Sequence, residues 1–224
     1  MKKHMPPFTR EVFLANFATY NEAIWPLQLL AFGLGAAALL TIFWRTALSD
    51  AIVTACLALM WLWTGVMYHG VYFSAISTPA YAFGVMFIVQ SVLLMFAGLI
   101  QRNLRFGYRN DWESWWGLAL IGYAAVIYPL IGLLTGHAYP HMPMFGVTPC
   151  PVTIFTFGCL LLTTARVPKW LLIIPFIWSL IGGSAAFLLG VVPDWLLLVS
   201  GIITVPLLIV RDKERSHSVV GPTG

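Results

Sequence analysis

The sequence predicts an all-α fold, a polytopic bundle of about seven transmembrane helices preceded by a short interfacial helix. Hydrophobic residues make up 60% of the chain and charged residues only 9%, whereas soluble proteins have roughly 25% charged residues. A helix needs about 20 residues to cross a bilayer, and several apolar runs are close to this length. The alternating segments of about 10 residues that are typical of membrane β-barrels are not visible.

Each element of this bundle has its own signal. The stretch FTREVFLANFATY places Val12, Phe13, Phe17 and Tyr20 at helical spacing, which predicts a short helix at the membrane interface. The first long apolar run starts near Ile24 and exceeds a signal peptide's core, so we interpret it as a retained anchor. The predicted spans are residues 24–44, 51–73, 80–101, 115–136, 149–165, 170–190 and 194–210. If the short last span only dips into the bilayer, the number falls to six.

The positions of lysine and arginine predict the orientation. With seven spans, one side carries nine basic residues and the other side only Lys2, Lys3 and Arg10. The nine are Arg45, Arg102, Arg105, Arg109, Arg166, Lys169, Arg211, Lys213 and Arg215. The positive-inside rule places them in the cytoplasm, so the N-terminus is expected outside a bacterial inner membrane. We expect residues 1–210 to form one transmembrane domain and residues 211–224 a cytoplasmic tail. With six spans the tail would lie on the opposite side, and each side would carry six basic residues.

Charge and cysteine content restrict the partners. The net charge is +4, and the basic residues lie in joints and ends rather than in one stripe, which argues against a nucleic-acid partner. The expected partners are the lipid bilayer and a small ion or molecule, with a homo-oligomer or a larger membrane complex also open. Cys56 and Cys159 lie in apolar runs, so the three cysteines do not imply a disulfide framework.

Polar side chains gather on the predicted outer side. Asn21 and Glu22 precede the first span, Met67, Tyr68 and His69 close the second, and Asp194 opens the last. Ionisable groups at membrane depth are costly and usually mark a site or a pathway. Simpler explanations are a helix start for Asn21 and Glu22, and an interfacial anchor for His69.

The stretch GHAYPHMPMFGVTPCPVTIF, residues 136–155, adds soft ligands to this side. His137 and His141 are four residues apart, and Met142 and Met144 follow. Imidazole and thioether donors suit copper(I) or zinc better than magnesium or calcium. The hypothesis is a transition-metal site of His69, His137, His141, Cys150 and Glu22, lined by Asn21, Tyr68, Met67, Met142, Met144, Thr148 and Thr153. A packed loop with solvent-facing histidines is the alternative.

The segment TPCP predicts a helix start. Thr148 suits the N-cap and Pro149 the first helical position, which places Cys150 at a helix N-terminus, where a reactive thiolate is favoured. TPCP resembles the cysteine-proline motif of heavy-metal P-type ATPases, but the chain lacks their DKTG segment. Thr153 and Thr156 share a helical face with Cys150 and are interpreted as the start of a polar path, or as hydroxyls bonded to their own helix.

Three segments together, YNEAIWPLQ, the Tyr68 and His69 pair, and PMFGVTPCPVTIFTFG, resemble an uncharacterised bacterial multi-pass membrane family. Its members are sometimes labelled permease or transporter, and the resemblance covers most of the chain. It implies no substrate.

Three functions follow from these patterns. The first is a transporter or metal-handling protein that binds a soft cation at the outer cluster. The second is a membrane-embedded enzyme that uses a metal or the Cys150 thiol, although no GxSxG, HExxH or Walker motif occurs. The third is a structural subunit of a membrane complex.

Overall fold

The computed structural model describes residues 8–136 and 138–219 and confirms an all-α bundle. Its α-helices are α1 (Arg10–Ala23), α2 (Leu27–Phe43), α3 (Ser49–Trp63), α4 (Ala80–Met95), α5 (Trp112–Gly122), α6 (Tyr128–Leu134), α7 (Pro149–Leu161), α8 (Ile173–Leu189) and α9 (Trp195–Val219). The π-helical stretches Thr64–Tyr72, Phe96–Ile100 and Tyr123–Ile127 continue α3, α4 and α5. Helix α9 therefore extends through the first nine residues of the predicted tail.

The described residues contain five helical segments long and apolar enough to cross a membrane: Ser49–Ala75, Ala80–Ile100, Trp112–Leu134, Lys169–Ala186 and Trp195–Arg215. Helices α1 and α2 pass the same test together but are bent by 85° at their junction. The outward faces carry exposed apolar side chains, including Leu29, Leu30, Val85 and Val92. The fold is therefore compatible with a membrane protein.

The predicted fifth span is the short helix α7, and it differs from the other spans. Its 13 residues are all buried, and they extend only about 20 Å, less than the about 30 Å of hydrocarbon in a bilayer. Helices α3, α5, α8 and α9 pack around it. Protein rather than lipid surrounds α7, so its length is not set by the bilayer.

Hydrogen bonds and ion pairs connect the joints between helices at two ends of the bundle. At one end, Asn21 and Tyr20 of α1 donate hydrogen bonds to the carbonyls of Met142 and Val147. At the other end, Arg105 contacts Asp50, and Arg109 donates to the carbonyl of Thr163. We call these the cavity end and the arginine end.

Two arginines complete the C-terminal end of α7 at the arginine end. Arg211 Nη1 donates to the carbonyl of Leu161 at 3.3 Å, and Nη2 donates to Thr163 Oγ1 at 3.0 Å. Arg109 donates to the carbonyls of the same two residues. The last carbonyls of a helix have no partner within that helix, and a buried end needs donors from elsewhere. These guanidinium groups supply them.

Glycines allow α5 and α7 to pack closely. A Cβ atom added to Gly158 would lie 2.7 Å from the carbonyl oxygen of Gly117, and one added to Gly117 would lie 2.8 Å from that of Gly158. The obstacle in each case is backbone, which cannot rotate away. Small residues at such crossings are typical of helix packing in membranes.

We expect Gly158→Ala to destabilise the bundle by about 1 to 3 kcal/mol, because the added methyl group forces α5 and α7 apart. The matched control is Gly122→Ala, whose Cβ would meet no atom within 4 Å and which should be neutral or stabilising by up to about 1 kcal/mol. Thermal unfolding in detergent measures both. Equal midpoints for the two variants would contradict the tight crossing.

Candidate functional site

A cavity of about 260 Å³ lies at the cavity end of the bundle. Its walls come from α1, the π-helical stretch Thr64–Tyr72, the start of α4, the start of α7, and α8. Seven aromatic side chains line it: Phe8, Phe13, Phe17, Tyr68, Phe73, Phe83 and Trp178. The lining also includes the side chains of His69, Cys150 and Asp194. The joints that the sequence analysis placed on one side therefore meet at one cavity.

Local helix geometry places Tyr68 and His69 in this wall. Both residues belong to the π-helical stretch, which is wider than an α-helix, and both line the cavity. Single π-turns inside longer helices are frequent at functional sites. Thr64, the first residue of the stretch, donates its hydroxyl hydrogen to the carbonyl of Met60 at 2.8 Å.

Helix α7 begins where the segment TPCP predicts, but the Thr148 side chain does not cap it. Thr148 is the N-cap residue, Pro149 is the first helical residue, and Cys150 follows it. The Thr148 hydroxyl donates to the carbonyl of Met144 at 2.7 Å instead of capping the helix. Cys150 is buried beside a carboxyl group, which is unlike the exposed, electropositive setting of reactive cysteines.

His69 is enclosed by rings. Its side chain is 0% exposed, and its ring centroid lies 4.9 Å from that of Phe87 and 5.2 Å from that of Trp178. Neither His69 Nδ1 nor Nε2 has a hydrogen-bond partner among the described residues, and the same is true of Trp178 Nε1. Buried polar atoms are nearly always hydrogen bonded in native proteins. Three of the nine buried side-chain polar atoms without a partner among the described residues therefore lie beside this cavity.

Asp194 is a site residue that the sequence analysis placed on the correct face but did not assign a role. The Tyr128 hydroxyl donates a hydrogen bond to its Oδ1 atom. Asp194 lies in the turn between α8 and α9, where burial raises its pKa to about 6 while the side chains of Tyr128 and Cys150 act to lower it. An acidic residue directly after VVP and before an apolar helix was the available signal.

The structure brings together two of the five predicted metal ligands, His69 and Cys150. Glu22 is exposed in the last turn of α1, and His141 is exposed at a separate small cleft. His137 lies outside the described residues. Within residues 8–136 and 138–219, no group of three or more His, Cys, Asp or Glu side chains is placed to hold a metal ion.

Asn21 was predicted to line the site, with a helix start as the simpler explanation. Helix α1 begins at Arg10 with Thr9 as its N-cap and continues through Asn21, so the helix-start explanation was wrong. The Asn21 amide donates to the carbonyls of Pro140 and Met142 at 2.7 and 2.8 Å. The segment YNEAIWPLQ thereby holds the loop before α7 against α1.

The methionines and threonines that were predicted to line the site pack in the bundle or bond to backbone carbonyls. Met67 and Met144 pack beside a cluster of buried hydrophobic residues, and Met142 is buried. Thr153 and Thr156 donate to the carbonyls of Pro149 and Val152, each at 2.8 Å. Bonding to their own helix, the alternative interpretation of these hydroxyls, is therefore confirmed.

The fold and the cavity define a helical, apolar bundle, compatible with a multi-pass membrane protein, that encloses a site of small-molecule size. The chain belongs to the family of unknown function DUF6064, whose match covers residues 10–218. This confirms the resemblance to an uncharacterised family that the sequence segments indicated. No curated protein and no solved structure matches the chain.

Proposed function

We propose that this protein is a multi-pass membrane protein that binds a small, largely apolar organic molecule in the cavity and carries it across the bilayer. The observation that supports this proposal is the cavity itself, about 260 Å³ in volume, with seven aromatic side chains in a largely apolar wall. Small-molecule sites are typically concave, mostly apolar and provided with a few polar groups. His69, Cys150 and Asp194 are those groups here.

A carrier fits this geometry better than a channel. Beneath the cavity lies α7, which is fully buried, and the hydroxyls of its Thr153 and Thr156 bond to their own helix. Gln90 and Ser91 of α4 donate to the carbonyls of Leu171 and Ala58. With these donors committed to backbone carbonyls, passage requires the helices around α7 to move. The proposed orientation has the cavity end outside and the arginine end in the cytoplasm.

Binding is tested with naphthalene, an apolar probe small enough for the cavity, by equilibrium dialysis against the protein in nanodiscs, with empty nanodiscs subtracted. We expect saturable binding to the wild type and its loss in Ala185→Trp, because Ala185 is a half-buried residue of the cavity wall on α8. The matched control is Ala37→Trp on α2, which is also half-buried but lies away from the cavity. Equal binding by wild type and Ala185→Trp would overturn the proposal.

A soft cation is the second candidate ligand, and the observation that favours it is that His69 and Cys150 line the same cavity. An imidazole and a thiol suit copper(I) or zinc. Elemental analysis of the purified protein beside Cys150→Ser tests this candidate. Near-stoichiometric metal that disappears in the variant would favour it, and metal content independent of Cys150 would exclude this site.

A further inference from the structure

Three buried nitrogens beside the cavity lack partners, and their chemistry restricts what the cavity holds. They are His69 Nδ1, His69 Nε2 and Trp178 Nε1. The two rings lie in T-shaped contact with centroids 5.2 Å apart. A buried donor or acceptor without a partner is costly, and a ligand that pairs with it gains correspondingly in affinity.

Together the three nitrogens provide two hydrogen-bond donors and one acceptor. Trp178 Nε1 only donates, and a neutral imidazole has one N–H donor and one acceptor nitrogen. His69 is neutral here, because five aromatic rings surround it and none of the described carboxylates bonds to it. The matching polar group must therefore both accept and donate. A hydroxyl is the smallest group that does so.

Charged ligands fit this site less well. No lysine or arginine occurs among the described residues that line the cavity, whereas the carboxyl group of Asp194 does line it. A carboxylate ligand would therefore find no cationic side chain in the cavity wall and would be repelled by the carboxyl group of Asp194 when that group is ionised. An ammonium ligand cannot accept a hydrogen bond, so it would leave the Trp178 indole N–H unpaired even if it contacted Asp194, which accepts from Tyr128 and has acceptor capacity left.

Gly182 lets α8 pack closely at the point where the indole of Trp178 lies. A Cβ atom added to this residue of the cavity wall would lie 2.7 Å from Leu197 Cδ2, 3.4 Å from Trp178 Nε1 and 3.6 Å from Cys150 Sγ. A side chain at this position would therefore crowd the indole nitrogen as well as α9. Aromatic walls on several sides favour a flat ligand body, because rings pack against one another in stacked or edge contacts.

We propose, on the basis of the proposed binding function, that the ligand is a planar ring compound with a single hydroxyl group, of the phenol class. The hydroxyl accepts a hydrogen bond from Trp178 Nε1 and donates one to the acceptor nitrogen of His69. The ring lies among the phenylalanine side chains that line the cavity. His69 and Trp178 are then the residues that select this ligand over a hydrocarbon of the same shape.

The test compares 2-naphthol with 2-methylnaphthalene, a hydrocarbon of similar shape, by dialysis against the protein in nanodiscs. We expect the wild type to prefer 2-naphthol about 10-fold to 100-fold after correction for partition into empty nanodiscs. His69→Phe and Trp178→Phe should each reduce this preference at least several-fold while retaining 2-methylnaphthalene binding. The control Ser184→Ala removes a polar side chain of α8 that bonds to its own helix and is not among the residues that line the cavity, and it should leave the preference unchanged.

The outcomes separate the two proposals. If neither probe binds more strongly to the wild type than to Ala185→Trp, the proposed function fails. If both probes bind equally well, the cavity binds apolar molecules and the hydroxyl assignment is overturned. Equal binding is the result expected if water molecules form hydrogen bonds with the three nitrogens. A preference that survives both aromatic substitutions, or equal binding of 2-naphthoic acid or of 2-naphthylmethylamine, which carries an ammonium group, would overturn the assignment as well.

Discussion

Replacement of Arg211 by methionine is expected to destabilise the protein by about 3 to 5 kcal/mol, the largest effect that we predict. Arg211 is 6% exposed, and its Nε atom donates to Asp212 Oδ1 at 2.9 Å. The substitution removes the guanidinium partner of a buried carboxylate and two donors to Thr163 at the end of α7. For a chain of this size, the loss corresponds to a decrease of about 10 °C in the unfolding midpoint in detergent.

Two further variants show whether the buried charge causes the loss. Arg102 is exposed on the loop after α4, so Arg102→Met removes an arginine without uncovering a buried acid and should shift the midpoint little. The double variant Arg211→Met/Asp212→Asn should recover part of the loss, because a neutral amide is less costly to bury and still accepts from the backbone N–H of Val167. If the double variant is less stable than Arg211→Met, the interpretation is incorrect.

The sequence predicts several helical segments closely because apolar length is a direct signal. The predicted spans 51–73 and 80–101 correspond to Ser49–Ala75 and Ala80–Ile100 within two residues at each end. The composition of residues 149–165 is as apolar as that of a span, yet α7 ends at Leu161. The donors to its last carbonyls come from Arg109 and Arg211, which are far from it in the sequence, so periodicity alone cannot reveal this buried end.

For the site, the sequence indicates which joints meet but not which side chains face each other. His69 and Cys150 were identified because histidine and a cysteine at a helix start are unusual in an apolar chain. Their actual neighbours include Trp178 and Phe83, which resemble any other aromatic residue of a membrane helix. Glu22 has the chemistry of a ligand but lies on the exposed face of α1. Composition identifies chemical types, whereas the direction of each side chain depends on packing.

Replacement of His69 by phenylalanine is expected to raise the stability of the ligand-free protein by about 1 to 2 kcal/mol. The ring of phenylalanine is larger than imidazole, but His69 borders the cavity, which leaves room for it, and the surrounding rings of Phe73, Phe83 and Phe87 would receive it without a polar atom. Removing two buried nitrogens without partners removes their desolvation cost, which is of this order. Thermal unfolding of the protein freed of ligand by extensive detergent exchange is the measurement.

Ser91→Ala serves as the control for His69→Phe, because it removes a buried polar group that has a partner. The Ser91 hydroxyl donates to the carbonyl of Ala58 at 2.7 Å, so its loss should lower stability by about 1 kcal/mol. Opposite signs for the two variants are the expected result. A midpoint lowered by both substitutions would mean that His69 has a structural partner, such as a tightly bound water. A gain in stability together with a loss of 2-naphthol preference would instead mean that His69 is kept for binding at a cost to the fold.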